Sequence, residues 1–319
     1  MTATGAPSPN FEIPPIAASI FSKFIAAEYA YFTPKGDPLT WPVTPYWYPR
    51  RRVLAIATGL AYPNKADYPK SNPKVSLYFS DPTSSGMESP PTVLVQAKAT
   101  VLDEDIQENT DRYVRELREK FGAAKIGLNP ISVKLLDFYL PRLWVEMTPY
   151  RVLVYPPGGG DHPEVFGEPI SDKPIASTRN GGTPSLAPAE ARALQRAVAK
   201  FGEAVVTIEG IDGFPMMARS AVSYDDGWIE LAEGSGTGRA SLSFHRHTLG
   251  GVRFEAYMVR GSVVRDGSRS RFAPQRLVGF FGNGAVFPFS VIPEIASLKR
   301  RLKKELAARD KPMPTLRIP

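Results

Sequence analysis

The hydrophobic pattern changes period several times along the chain, and the changes divide it into two similar runs. From Pro15 to Ala27 the apolar residues Ile16, Ile20, Phe21, Phe24 and Ile25 recur at helical spacing, which predicts an amphipathic helix. Short apolar and alternating runs follow. They predict strands at Glu28 to Thr33, Leu39 to Tyr48, Arg52 to Thr58 and Lys74 to Ser80, then a long strand at Thr92 to Leu102. A charge-rich helix is predicted over Ile106 to Phe121 and another over Ile131 to Tyr139, before a closing strand from Leu143 to Tyr155.

Periodicity then stops. Between Pro156 and Pro188 the residues are mostly Pro, Gly, Ser, Asp and Asn, which predicts an inter-domain linker. Beyond it the plan recurs: a helix at Ala189 to Phe201, then strands at Ala204 to Glu209, Phe214 to Tyr224, Trp228 to Glu233, Ala240 to His245 and Val252 to Val264. Two short matches fix the repeat. ASLSF at Ala240 stands where VSLYF stands at Val75, and Gly213-Phe214-Pro215 matches Gly36-Asp37-Pro38. The first run alone carries a longer segment between its third and fourth strands, and that segment holds Lys65. Helix, strand, hairpin and further antiparallel strands, twice over, predict an α+β chain, mainly β with flanking helices. Two small barrels, at 1–155 and 189–319, are joined by a linker at 156–188. They are expected to pack as an intramolecular pseudo-dimer or within a homodimer.

Composition narrows the chemistry. The 32 prolines and 26 glycines among 319 residues argue against an all-helical protein. There is no cysteine, which excludes disulfides, thiolate metal sites and cysteine nucleophiles. No apolar run approaches the roughly 18–20 residues that span a bilayer. The N-terminus also lacks a signal-peptide plan, so no membrane association and a cytoplasmic location are expected. A net charge of +7 favours anionic partners.

Five groups of residues invite a chemical reading. Thr58, Gly59 and Lys65 offer a hydroxyl, close backbone approach and an ammonium, the donors a phosphomonoester needs, although spacing alone reads Lys65 as an ordinary solvated loop lysine. Arg50-Arg51-Arg52 lies in a hairpin turn, as a solvated turn or as a positive rim. Gly234 to Arg239 is glycine-rich, but its G-x-G-x-G spacing precedes a strand, so a hairpin turn is expected rather than a dinucleotide loop. His245 and His247 share a strand face with no carboxylate near in sequence, and no metal is expected. The segment Pro293 to Leu306 is an amphipathic helix with Ile295, Leu298, Leu302 and Leu306 as its apolar stripe. Its basic face is expected to be solvated, and a nucleic-acid partner is not expected.

One ordered set of residues resembles a known family. Thr58-Gly59, Asn64-Lys65, Asn72-Pro73 and Lys74-Val75-Ser76-Leu77, with Val95-Gln96-Ala97-Lys98-Ala99 and the strand from Leu143 to Tyr155, resemble the pyridoxamine 5'-phosphate oxidase-like flavin-binding split barrels. Deazaflavin-dependent reductases belong to that family. The resemblance implies two tandem split β-barrel domains. It places a flavin-type ring against Pro42 to Tyr48, at Val43, Thr44 and Tyr46, and the phosphate at Thr58, Gly59, Asn64 and Lys65. The implied cofactor is FMN or a deazaflavin coenzyme, whose longer acidic tail would suit Arg50 to Arg52. The implied activity is an oxidoreductase acting on a small organic substrate. The alternative is a non-catalytic protein of the same fold that binds a flavin, haem or other tetrapyrrole, with His245 and His247 as the clustered candidates for haem ligation. No catalytic residue is singled out. Because the second run lacks the Lys65 segment, one cofactor per chain is expected.

Overall fold

The two halves differ most at the strand that follows their first turn. The structure, a computed structural model, describes residues 8–122, 138–158, 162–170, 182–232, 236–247, 254–267, 269–282 and 292–315. In the first half this strand is in two pieces. β2 (Pro38–Val43) pairs with β1 (Ala27–Phe32), while β3 (Tyr46–Tyr48) pairs with β4 (Val53–Gly59). The single strand expected from Leu39 to Tyr48 is therefore broken at Thr44-Pro45, where proline supplies no ladder N–H and restricts the residue before it. In the second half β10 (Pro215–Asp225) runs unbroken, from β9 (Glu203–Glu209) on one side to β11 (Trp228–Leu231) on the other.

The first sheet is completed by β5 (Lys74–Phe79), β6 (Thr92–Leu102) and β7 (Arg142–Tyr155), in the order β2-β1-β5-β6-β7-β4-β3. The second adds β12 (Gly238–His247), β13 (Phe254–Asp266) and β14 (Arg269–Gly282), and it closes as β10-β11-β14-β13-β12-β9. So the chain holds one closed six-stranded barrel and one open, curled sheet, where two split barrels were expected. β14 was not anticipated from the sequence. The predicted linker also contains a strand, β8 (Glu164–Gly167), which lies on β7 with Gly167 opposite Arg151.

The internal repeat holds at the level of register. Ser76 stands opposite Ala30 in the first half, and Ser241 stands opposite Thr207 in the second. Gly36 and Gly213 both take positive φ, 78° and 77°, in the turns that lead into Pro38 and Pro215. What the second half lacks is helical. Helix α1 (Pro15–Lys23) has its counterpart in α4 (Pro188–Phe201), whereas α2 (Asn64–Ser71) and α3 (Ile106–Phe121) have none among the described residues. The Lys65 segment, expected as a loop, is thus the short helix α2. Residues 131–137 of the second predicted helix lie outside the described residues, as do 233–235 of the glycine-rich turn.

The halves meet across a mixed seam. Ala30, Tyr78, Leu94 and Leu153 pack against Val205 and Met217, all buried. Thr40 Oγ1 lies 2.7 Å from Thr207 Oγ1 and 3.4 Å from Ser241 Oγ. Each half offers an aspartate from its first turn to an arginine of the other: Asp37 to Arg260 at 2.9 Å, and Asp212 to Arg151 at 2.6 Å. The last helix, α5 (Ile292–Ala308), packs back on the first half. Its Leu302 and Leu306 are buried in the same core as Phe21, Ile56, Leu60 and Ala66.

Candidate functional site

The strand end Thr58-Gly59 lies beside Leu143 and Arg142, which open β7. Arg142 was not singled out in the sequence, yet it organises the region. It is only 4% exposed, and its guanidinium carbon sits 4.0 Å from the ring centre of Tyr113 and 4.1 Å from that of Tyr139. Its Nε and Nη2 are buried without a hydrogen-bond partner, and among the described residues no carboxylate pairs with it. Two stacked tyrosine faces stabilise such a cation by about 0.5–2 kcal/mol each, well short of a neutralising charge. The phenol of Tyr139 responds to this field: the Arg142 guanidinium draws its pKa below the ordinary tyrosine value.

Gly59 permits this closeness. A Cβ at that position would stand 2.8 Å from Arg142 Nη1, closer than two such atoms can approach. Thr58 closes the turn beyond it, its hydroxyl donating to the carbonyl of Tyr62 at 3.1 Å. Asn64, exposed, opens α2, and Lys65 follows. Lys65 is half-buried with its Nζ 5.4 Å from the ring centre of Trp41, and no described carboxylate pairs with it. Burial, helped by repulsion from Arg142, pushes its pKa down to about 8.

The backbone of Lys65 is fixed by an unusual exchange. Pro69 lies inside α2 and has no N–H to give the carbonyl four residues back, which is that of Lys65. That carbonyl instead accepts from the Tyr29 hydroxyl of β1 at 3.3 Å. The C-terminal segment also holds α2: Arg309, just past α5, pairs with Asp67 at 2.6 Å, and Arg301 of α5 lies 6.0 Å from the ring centre of Tyr62, just before α2.

Tyr46, the first residue of β3, forms the neighbouring wall. It is buried, stacks on Trp144 at 5.2 Å and 20°, and its hydroxyl has no hydrogen-bond partner. Burial raises its pKa, and Arg142 opposes the rise. Lys120, at the end of α3, reaches the same wall, donating to the Pro45 carbonyl at 2.5 Å. Its pKa also falls to about 8 because of burial. The structure thus gathers Tyr46, Gly59 and Lys65 around Arg142, with Thr58 and Asn64 adjoining. Val43 ends β2 opposite Ala27 and packs on the main core, and Thr44 occupies the break before Tyr46.

The other candidates are engaged elsewhere. Arg51 holds both oxygens of the buried Glu146, at 2.8 and 2.6 Å, and Arg52 pairs with Glu12 at 2.6 Å. His245 and His247 are buried at the seam, where the fold brings them to Glu28 and Asp81, two carboxylates distant in sequence. No described helix is long and apolar enough to cross a membrane.

No family model matches the chain, and no curated protein matches it. Among solved structures it is similar to a conserved hypothetical protein of Mycobacterium tuberculosis, at 15% identity over 48% of this chain and 91% of that one, with a TM-score of 0.35. A structure described as an F420 reductase is similar at 17% identity over 44% and 98%, with a TM-score of 0.33. A putative pyridoxamine 5'-phosphate oxidase of Listeria innocua is similar at 13% identity over 43% and 94%, with a TM-score of 0.30. Likeness of this extent says nothing of what this chain binds.

Proposed function

We propose that the first half binds the phosphate of a flavin-type cofactor, FMN or a deazaflavin, and that the protein is an oxidoreductase acting on a small organic substrate. The observation that supports this reading is a pair of cations without counter-charge. Lys65 and Arg142 stand close enough to repel one another, and no described carboxylate pairs with either. Several buried charges in this half are matched by contrast, Glu146 by Arg51, Arg151 by Asp212 and Glu28 by Arg219, while Lys120 gives its ammonium to the Pro45 carbonyl. A phosphomonoester brings close to two negative charges and three acceptor oxygens. The unpartnered Nε and Nη2 of Arg142, the Lys65 ammonium and the amides of Asn64 and Lys65 at the start of α2 are the donors that would meet it.

The ring would lie toward the strand break, against Tyr46 backed by Trp144, with Val43 and Thr44 beside it. When bound, the cofactor supplies hydride chemistry, which no side chain of the protein can perform. The chain's own part is placement. Lys65 and Arg142 hold the phosphate, Gly59 leaves room for the guanidinium, and Thr58 fixes the turn between them. Because α2 has no counterpart among the described residues of the second half, one cofactor per chain is expected.

Titration with FMN and with the deazaflavin coenzyme tests the reading. One of them binds at one equivalent per chain. Lys65→Ala and Arg142→Met each weaken binding by roughly 10- to 100-fold, the loss expected for a hydrogen bond to a charged group. Two equivalents per chain would sink the proposal, as would unchanged affinity in both folded variants.

A further inference from the structure

Tyr29 of β1 reaches α2, while its neighbour Glu28 reaches a group of side chains that the flavin reading does not use. We infer that Asp81, His245 and His247 form a binding site for a divalent transition-metal ion of the zinc class. His245 and His247 project from one face of β12 with their rings parallel to within 10° and their centres 6.4 Å apart. Asp81 comes from the connection after β5 in the other half. One ligand atom from each of the three lies within 4.8 Å of the other two.

The hydrogen bonds around the histidines set which nitrogens keep a lone pair. His245 Nε2 lies 2.6 Å from Glu28 Oε1, and His247 Nε2 lies 3.2 Å from the Thr83 carbonyl. Both partners are acceptors, so both Nε2 atoms carry the hydrogen, and in the neutral rings the Nδ1 atoms hold the lone pairs. An outer carboxylate or carbonyl that fixes the tautomer of a histidine is the usual support of a metal ligand. His247 Nδ1 lies 3.2 Å from Asp81 Oδ2, so a lone pair and a carboxylate oxygen face each other and need a cation between them. A proton would serve that pair alone. The third donor in the same triangle, His245, is what a metal ion uses and a proton does not.

Two imidazoles and one carboxylate suit zinc, at about 2.0–2.2 Å from each donor. Tetrahedral binding at those lengths brings donors to about 3.3 Å from one another. The triangle must therefore tighten, and Asp81, which lies outside any strand, is the member able to move. Asp81 and His245 also line a cleft of ≈ 290 Å³ with Ser80, Glu203, Arg219 and Arg246, a polar mouth through which water can reach the group.

The test uses the full chain after chelator treatment, with zinc followed by calorimetry and cobalt by its visible spectrum. One equivalent binds, cobalt gives the intense bands of low coordination number, and the metal raises the melting temperature. His247→Ala and Asp81→Asn weaken binding on the order of 100-fold or more, and Glu28→Gln about 10- to 100-fold as an outer partner. His162→Ala, which alters the chain's only other histidine, leaves binding unchanged. Asp81→Asn preserves shape, so it decides the matter should a histidine variant fail to fold. Absence of stoichiometric binding overturns the inference, and so does equal affinity in Asp81→Asn.

Discussion

Arg142 is a charge that the interior of the first half leaves uncompensated. Replacing an isolated buried ion by an apolar residue of similar length is commonly neutral or stabilising. Arg142→Met is therefore expected to unfold in urea at the wild-type midpoint or above it, within about 1 kcal/mol or better, while losing phosphate affinity. A loss of several kcal/mol would instead assign Arg142 a structural role. The lysines give a second handle at this scale. Lys65 and Lys120 both titrate in the folded protein at about 8, whereas an unfolded lysine titrates near 10.4. Between those values the unfolded chain binds more protons, so stability of the cofactor-free protein rises as pH increases from about 8 toward 10. Above that the buried tyrosines reverse the trend, because Tyr31 and Tyr46 hold their protons more tightly than unfolded tyrosine does. Phosphate affinity moves the other way, falling through pH 8 as Lys65 loses its charge. Lys65→Arg should flatten that part of the affinity profile.

At the scale of elements, the position of Lys65 depends on three supports for α2: the Tyr29 hydroxyl beneath it, the turn at Thr58 before it, and α5 over it. Tyr29→Phe leaves the Lys65 carbonyl without its acceptor role filled, at a cost of about 1–3 kcal/mol. Leu302→Ala opens a cavity in a core where Leu302 is 1% exposed, and about 2–5 kcal/mol of stability should go with it. Chemical denaturation measures both, and phosphate affinity should fall in both because α2 loosens. Sequence patterning could not supply this arrangement. Pro69 and the lack of a capping side chain made residues 64–71 read as a loop, since the forces that keep them helical come from β1 and α5. Arg142 was hidden for a related reason: one arginine at the mouth of an apolar strand looks like any solvated strand end. The break at Thr44-Pro45 was legible in principle, because Pro42 and Pro45 both stand in the predicted strand. By contrast the α3 boundaries follow from local pattern alone and agree with the structure, and so do Leu298, Leu302 and Leu306 of the apolar stripe of α5, which pack on the core.

For the whole molecule, the repeat was readable because its signals are local: a Gly-x-Pro turn and a five-residue strand, each used twice. The seam was not, since alternation shows that β12 has two faces without showing what covers them. Glu28, Thr40, Thr207 and Ser241 are buried polar groups in a contact between strands far apart in sequence. That contact is extensive enough for the halves to unfold together. Thr40→Val removes the hydroxyl 2.7 Å from Thr207 and should lower the single melting transition, by about 1–3 kcal/mol. The pair Thr40→Val with Thr207→Val should cost less than the sum of the two. Calorimetry checks this, and two separate transitions with only one displaced would contradict it.

The return of α5 to the first half has a consequence for biosynthesis. The ribosome finishes β7 at residue 155, but Leu302 and Leu306, which complete the core around Leu60 and Ala66, emerge some 150 residues later. At 5–20 residues per second the nascent first half waits roughly 10–30 s with that apolar surface uncovered. During this interval α2 lacks its outer support, so the segment bearing Lys65 is among the last parts of the first half to become fixed. A chaperone that engages this chain during translation would find its target there, and would be displaced by the chain's own final helix.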